Sequence, residues 1–348
     1  MATQTAPLRE PSRHAQPTHE APAAVRAVGI VVVLTVAIVI VAIAFALPAV
    51  RSKPHEVPIG IAGPSPAATQ VSDQLGRSAP DAFAVTMFSD EAALRAAITD
   101  RTVYGGLAMT PTGPTLLIAT GGSPAVAQLL TQVGTAMAQK SGMPLHTEDL
   151  APPTVNDPRG AGLAASALPL TLAGMLPAIL LVLAFPNRVW TRFVAAVAFA
   201  PLVGLSLAAL LRYPLGSIDA NFWGVAGALT LGTLAALLFM LGLGSLFGRI
   251  GLAVGATLAL LVGNPLSGLT SAPEFLPVGW GDAGQWLPQG ATATLLRSTA
   301  YFSGAGASTA LLVLTCWASV GAGLVVVAAL RGPRRDAPTL ERRGTRRP

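Results

Sequence analysis

The sequence predicts an α-helical membrane protein with six transmembrane helices and an extracytoplasmic mixed α/β domain between helices 1 and 2. Three observations lead to this fold class. The chain contains six long apolar runs, its arginine residues collect on one side of the topology that these runs define, and segment 51–164 alternates strand and helix patterns. Only 11% of the 348 residues are charged, against about 25% in soluble domains.

The six apolar runs are close to the roughly 20 residues that a helix needs to cross about 30 Å of hydrocarbon. The first helix is predicted at 25–50, of which 27–50 is free of charge. A five-helix transmembrane domain follows over 165–330, with helices at 165–185, 193–211, 222–247, 250–269 and 309–330. The fifth run is the weakest, because Asn264-Pro265 interrupts it near its end.

The distribution of basic residues predicts the orientation. The segments 1–26 and 331–348 hold three and seven arginines, whereas segment 51–164 holds seven basic groups against nine acids. Since positive charge stays inside during insertion, we expect a multi-pass protein of the cell membrane with both termini cytoplasmic. The tail 1–24 is expected to be disordered, and the basic C-terminal tail is expected to contact anionic lipid of the bilayer rather than nucleic acid.

A cleaved signal peptide is the alternative for the first run, because Ala44-Phe45-Ala46 resembles a cleavage site. Against it, the apolar stretch is longer than the usual 7–15 residues, and an uncleaved helix keeps the number of crossings even.

Segment 51–164 is predicted to hold a small α/β domain and a linker back to the membrane. Ser89 is expected to cap the helix that ends near Ile98, and a helix is expected to start at Ser123-Pro124. The predicted strands are 57–61, 83–88, 103–109 and 115–119, and the predicted helices are 65–77, 89–98 and 123–139. This order indicates a mixed sheet, and the Pro- and Gly-rich segment 141–160 is interpreted as linker.

The outer loop 270–308 is predicted to form an interfacial or re-entrant cap. Trp280 and Trp286 favour the headgroup level, prolines punctuate short helices, and Arg297 lies in an otherwise apolar stretch. Small residues recur at four-residue spacing in the fourth run, from Gly224 to Ala236. Such a face packs helices closely, either within the chain or across a homodimer.

No residues of the sequence are predicted to be catalytic, to bind a cofactor or to ligate a metal, so we do not expect an enzyme. A phosphate-binding loop needs a lysine after glycine, and the two lysines, Lys53 and Lys140, lack that context. The four histidines lie outside the apolar runs without metal-ligand spacing. Because the charge-free runs contain no ionisable group, a proton relay through the membrane is disfavoured.

The chain resembles the type-2 class of ABC-type exporter permeases and the overlapping phage-infection-protein (YhgE/Pip-like) membrane family. The resemblance covers about 25–330 and rests on the helix–domain–five-helix layout and on two segments. One is 89–98 with 103–107 (VYGGL), and the other runs from Asn264-Pro265 through 273–277 (PEFLP) and 286–288 (WLP) to 295–297 (LLR). These motifs describe architecture and carry no catalytic signature.

The resemblance implies a permease subunit of an exporter, homodimeric and powered by a separate cytoplasmic ATPase. In that family a cytoplasmic helix couples the two subunits. Here the corresponding loop 186–192, with Arg188, Trp190 and Arg192, has room for only about two helical turns. These residues are interpreted either as an ATPase-coupling loop or as anchors at the membrane interface. The alternative function is a non-transporting envelope protein whose outer domain binds a partner or surface ligand.

Overall fold

The computed structural model describes residues 22–110, 113–269 and 271–332. This part of the chain is mostly helical and carries one small mixed sheet. The predicted tails 1–24 and 331–348 lie almost entirely outside the described residues.

Helix α1 (Ala23–Val50) is apolar on all sides, and its Val and Ile side chains are exposed along nearly its whole length. A helix without a polar face is typical of a membrane span, because lipid can then contact every side.

The second part of the chain contains a helical bundle. Five helices of the described residues are long and apolar enough to cross a membrane; α1 is one, and the others lie at 161–184, 189–212, 222–263 and 308–330. The bundle helices are α5 (Ala161–Ala165), α6 (Ala167–Ala184), α7 (Val189–Arg212), α8 (Phe222–Thr257), α9 (Trp280–Gln285), α10 (Pro288–Tyr301) and α11 (Ser308–Leu330).

The 42-residue helix 222–263 reverses direction at Gly248. This glycine has φ 61° and ψ −135°, which is not a helical conformation. A Cβ built on Gly255 would lie 2.4 Å from Met240 Sδ, although these residues would be about 22 Å apart along a straight helix. The segment after Gly248 therefore folds back along the segment before it, and ends in a π-helical turn over Leu258–Gly263.

Segment 57–149 forms a five-stranded sheet in the order β2-β1-β3-β4-β5. The strands are β1 (Val57–Ala62), β2 (Phe83–Phe88), β3 (Gly105–Thr110), β4 (Gly113–Ile118) and β5 (His146–Asp149). Only the β3–β4 pair is antiparallel, so the predicted mixed sheet is confirmed. Strand β5 lies in the segment predicted to be linker.

Three helices cover this sheet: α2 (Ser65–Ser78), α3 (Glu91–Thr99) and α4 (Pro124–Ser141). Helices α2 and α4 pack on one face with Ile59 and Leu116, and α3 packs on the other. The predicted cap at Ser89 is wrong, because Asp90 accepts the amide of Ala93 at 2.8 Å and caps α3 instead.

Both cores of the sheet include a residue from the outer loop between the fifth and sixth predicted helices. Ala272 joins the core under α2 and α4, and Phe302 joins the core under α3. The loop 271–307 is therefore part of the α/β domain as well as of the bundle.

Candidate functional site

The α/β domain meets the bundle at a buried polar junction. The domain supplies Arg101, which follows α3, and Tyr104, which precedes β3. The loop 271–307 supplies Glu274 from a short 3₁₀ turn and Arg297 from α10. We refer to these four residues as the junction.

Arg297 is 5% exposed and organises the backbone of the loop. Its Nη2 donates to three carbonyl oxygens, those of Gly268 at 3.1 Å, Leu269 at 2.7 Å and Ser271 at 3.2 Å. The guanidinium adds to a donor that two of these carbonyls already have, since Gly268 O also accepts from Ser271 N and Ser271 O also accepts from Ser123 Oγ. Such buried acceptors are costly when left unpaired.

Arg101 ties the domain to α10. Its Nη1 donates to the carbonyl of Thr294 at 3.1 Å and to the hydroxyl of Ser298, and its guanidinium lies 5.2 Å from the ring centre of Phe302. Arg101 adopts a left-handed backbone conformation with φ 61°, which is uncommon for a residue with a Cβ. Burial lowers the pKa of Arg101, but an arginine with these contacts stays charged.

Tyr104 donates its hydroxyl proton to Glu274 Oε2 at 2.8 Å. Burial, with the neighbouring carboxylate, raises the pKa of Tyr104 well above its ordinary value, so the phenol keeps its proton. Backbone and hydroxyl contacts reinforce this joint: Lys53 N donates to Phe275 O at 3.1 Å, and Ser123 Oγ donates to Ser271 O at 2.8 Å. These hydrogen bonds join the α/β domain to the loop 271–307 and to α10.

The two predicted tryptophans of the cap lie away from the junction. Trp280 and Trp286 are 38% and 63% exposed. The carbonyl of Trp286 accepts a hydrogen bond from Trp317 Nε1 at 2.8 Å, about 14 Å along α11 from its start. At the other side of the loop, Thr292 of α10 lies against Gly232 of α8. Helix α10 therefore packs deep between the bundle helices.

The predicted inner loop is shorter than expected, because α6 ends at Ala184 and α7 already begins at Val189. Arg188 and Trp190 are exposed, whereas Arg192 is 2% exposed. Arg192 Nε donates to Phe185 O at 2.8 Å, and its Nη atoms contact Pro186 O and Ser245. The guanidinium of Arg192 thus holds the turn between α6 and α7, while Arg188 and Trp190 are available to a partner or to lipid.

A narrow, mostly apolar cleft with a few neutral polar groups in its lining lies inside the bundle. Thr171 of α6, Asn264 after the π-helical turn, and Gln289 and Thr292 of α10 line a cavity of about 20 Å³. An adjoining cavity of about 30 Å³ shares Thr171 and Gln289. Each has room for about one or two water molecules. We call this the bundle cleft.

The sequence analysis did not identify these groups as a site. The interruption at Asn264-Pro265 marked an irregularity, but nothing in the spacing pairs Asn264 with Thr171 or Gln289. Within the described residues, no group of three or more His, Cys, Asp or Glu side chains is arranged to hold a metal ion.

Comparison with known proteins adds no family assignment. No protein-family model, curated protein or solved structure matches this chain. The junction, the bundle cleft and the composition of the helices are the features of this chain that bear on its function.

Proposed function

We propose that this chain crosses the cell membrane six times, with both termini in the cytoplasm and the α/β domain outside. The reversal at Gly248 supports this topology, because it turns the helix 222–263 into two antiparallel segments. The exposed Arg249 beside the turn suits a cytoplasmic position. Helix α10 then enters the bundle from the outer side and returns, as a re-entrant element.

A cysteine-labelling experiment tests the topology. In a Cys316→Ser background, Ser141→Cys and Asp282→Cys are expected to react with a membrane-impermeant thiol reagent in intact cells. Arg249→Cys and Thr345→Cys are expected to react only after permeabilisation. Labelling of Arg249→Cys from outside would exclude the six-helix topology.

Within this topology, we propose a permease subunit of an exporter that receives its energy from a separate ATPase. The bundle cleft carries the proposal. Non-helical backbone at membrane depth is tolerated where it is enclosed by protein or lines a water-filled path, and the π-helical turn with Asn264 lies at such a place. The charge-free helices offer no proton relay, so the energy must come from another subunit.

The junction supports the same function. Arg101 and Tyr104 bond groups on opposite sides of the outer loop, so a movement of α10 would shift the outer domain with it. A change in the bundle cleft would thereby reach the external surface. The homodimer suggested by the small-residue face of α8 is part of this proposal; within the described chain, Gly232 of that face already packs on Thr292.

Purification of the tagged protein from its native membrane tests the exporter proposal. We expect a nucleotide-binding subunit to co-purify, and its ATP turnover to rise with the permease present. Gln289→Leu places an apolar side chain in the bundle cleft and should reduce the stimulation of ATP turnover without dissociating the complex. The control is Gln132→Leu, at an exposed position of α4, which should leave the stimulation unchanged. Recovery of the chain without any nucleotide-binding protein would refute the proposal.

A second candidate is an envelope protein whose outer domain binds a partner or a surface ligand. The inner loop favours it, since Arg192 is engaged internally and only a short exposed turn faces a cytoplasmic subunit. A photo-crosslinker at exposed Thr69 on α2 should then capture an envelope component in intact cells. If the crosslinker captured no envelope component in cells with a normal envelope, this candidate function would be excluded.

A further inference from the structure

The outer domain contains a cavity that the proposed functions do not use. It lies on the face of the sheet covered by α2 and α4 and has a volume of about 320 Å³. Its floor is formed by Ile59, Ile61, Leu107 and Leu116, and Met137 forms part of its α4 wall. This volume falls at the lower end of the range typical of small-molecule sites, about 300–1,000 Å³.

The cavity exists because the two helices leave the middle of the sheet uncovered. Helix α2 packs on β1 and β2, and α4 packs on β3 and β4, so the gap lies over the seam between β1 and β3. Small residues face this gap from both helices, Ala67 from α2 and Gly134 and Ala138 from α4. The small side chains at these three positions leave space between the larger lining residues of the two helices.

The volume indicates the size of the missing occupant. An apolar cavity of about 150 Å³ accepts benzene, so by proportion this cavity has room for about a dozen carbon atoms. Its apolar floor favours a hydrocarbon, and a narrow site between two helices suits one linear chain rather than two.

The rim carries a different chemistry. Gln70, Gln74 and Ser141 supply neutral polar groups, and Lys140 supplies a positive charge. No acidic residue lines the cavity, and Lys140 forms no ion pair or hydrogen bond with any described residue. A cation at the mouth of an apolar cavity complements an anionic group at the end of an apolar chain.

We propose that this cavity binds a single-chain anionic amphiphile of the fatty-acid type, with a tail of about twelve carbons between α2 and α4 and the carboxylate at Lys140. The site does not depend on the transport proposal, since the cavity belongs entirely to the outer domain.

The test uses the full chain in lipid nanodiscs and a dodecanoate that carries a diazirine at its terminal carbon. After illumination, mass spectrometry locates the labelled peptides. Label on strands β1, β3 and β4 and on helix α4 reports the cavity, whereas label on α6, α7 and α11 reports dodecanoate dissolved in the bilayer. The ratio of the two signals in one sample corrects for partitioning into lipid.

Cavity-filling variants provide the matched comparison. Ala138→Trp should reduce the cavity label at least tenfold, and Ala136→Trp, an exposed position on the same helix, should leave it unchanged. Ala67→Phe fills the cavity from the opposite wall and serves if Ala138→Trp fails to fold, as judged by gel filtration. Cavity label that persists in a folded filling variant would overturn the proposal.

Two further comparisons test the head group and the tail. Lys140→Gln should lower dodecanoate capture about threefold, because an exposed ion pair contributes a free energy of that size. Arg77→Gln on α2 should leave dodecanoate capture unchanged. Unlabelled fatty acids should compete with the probe, and their affinity should rise about fourfold with each added methylene until it levels off near twelve carbons. If a dodecylammonium probe were captured as well as the dodecanoate probe, the ligand would not be anionic. If an apolar peptide competed with the probe and unlabelled dodecanoate did not, the ligand would not be a fatty acid.

Discussion

Replacing Arg297 by methionine tests whether one buried guanidinium holds the segment 268–271 in place. The variant keeps the length of the side chain and removes the donor. In the structure, the two hydrogens of Nη2 are shared among the carbonyls of Gly268, Leu269 and Ser271. A hydrogen bond from a charged donor is worth about 1.5–3 kcal/mol, so the loss of two amounts to about 3 kcal/mol at the lower end.

This free energy sets the expected change in local opening. About 3 kcal/mol corresponds to an increase of about 150-fold in the population of the opened segment. Amide hydrogen exchange in nanodiscs, followed by mass spectrometry, measures this opening at Leu269 and Ser271. Arg212→Met is the control, because Arg212 donates to a single carbonyl, that of Ile218, and is more than a third exposed.

The control should leave exchange at Leu269 and Ser271 unchanged. If Arg297→Met accelerated their exchange less than threefold, the carbonyls would not depend on the guanidinium, and the structural account of the junction would be wrong.

Three further predictions concern the hairpin turn, the outer sheet and the junction. Gly248→Ala should lower the thermal midpoint of the purified protein, because a Cβ at φ 61°, ψ −135° is strained by about 1–3 kcal/mol. Arg95 holds the pKa of Glu148 below its ordinary 4.5, so this ion pair stabilises β5 at neutral pH. The stabilisation from this ion pair should disappear as the pH falls from 4.5 through the lowered pKa of Glu148. Amide exchange in β5 should then become faster. Tyr104→Phe should accelerate amide exchange near Glu274 about fivefold, because the lost hydrogen bond contributes about 1 kcal/mol.

Each of these has its own control. Gly323→Ala places a methyl group in open space on a helix and should leave the midpoint unchanged or raise it. Glu148→Gln should remove the acid-induced change in β5 exchange. Tyr213→Phe, on an exposed tyrosine of the bundle, should leave exchange near Glu274 as it is.

Much of the secondary structure was predictable because its signals are local. The strand at Val57–Ala62 and the helix that begins after Ser123 follow from apolar alternation and from a cap residue before proline. Strand β5 was missed, since His146-Thr147-Glu148-Asp149 has no apolar residue and gains its place only by pairing with β4.

The sites were less predictable because their members are far apart in the chain. Arg297 stood out as a charge in an apolar stretch, but its carbonyl partners could not be read from the sequence. Tyr104 and Glu274 are 170 positions apart, and Arg101 and Ser298 are 197 apart. Within one sequence no periodicity relates such residues.

The contribution of Ala272 and Phe302 to the two cores of the sheet has a consequence for the order of folding during synthesis. The strands of the α/β domain leave the ribosome some 150 to 245 residues before Phe302 does, yet each core includes a residue of the late segment. Contacts of such high sequence separation form slowly, because the intervening chain must first be placed. The nascent domain therefore keeps an open apolar edge until this late segment has been synthesised. A chain that stops before Ala272 would keep that edge open and become a substrate for chaperones or proteases.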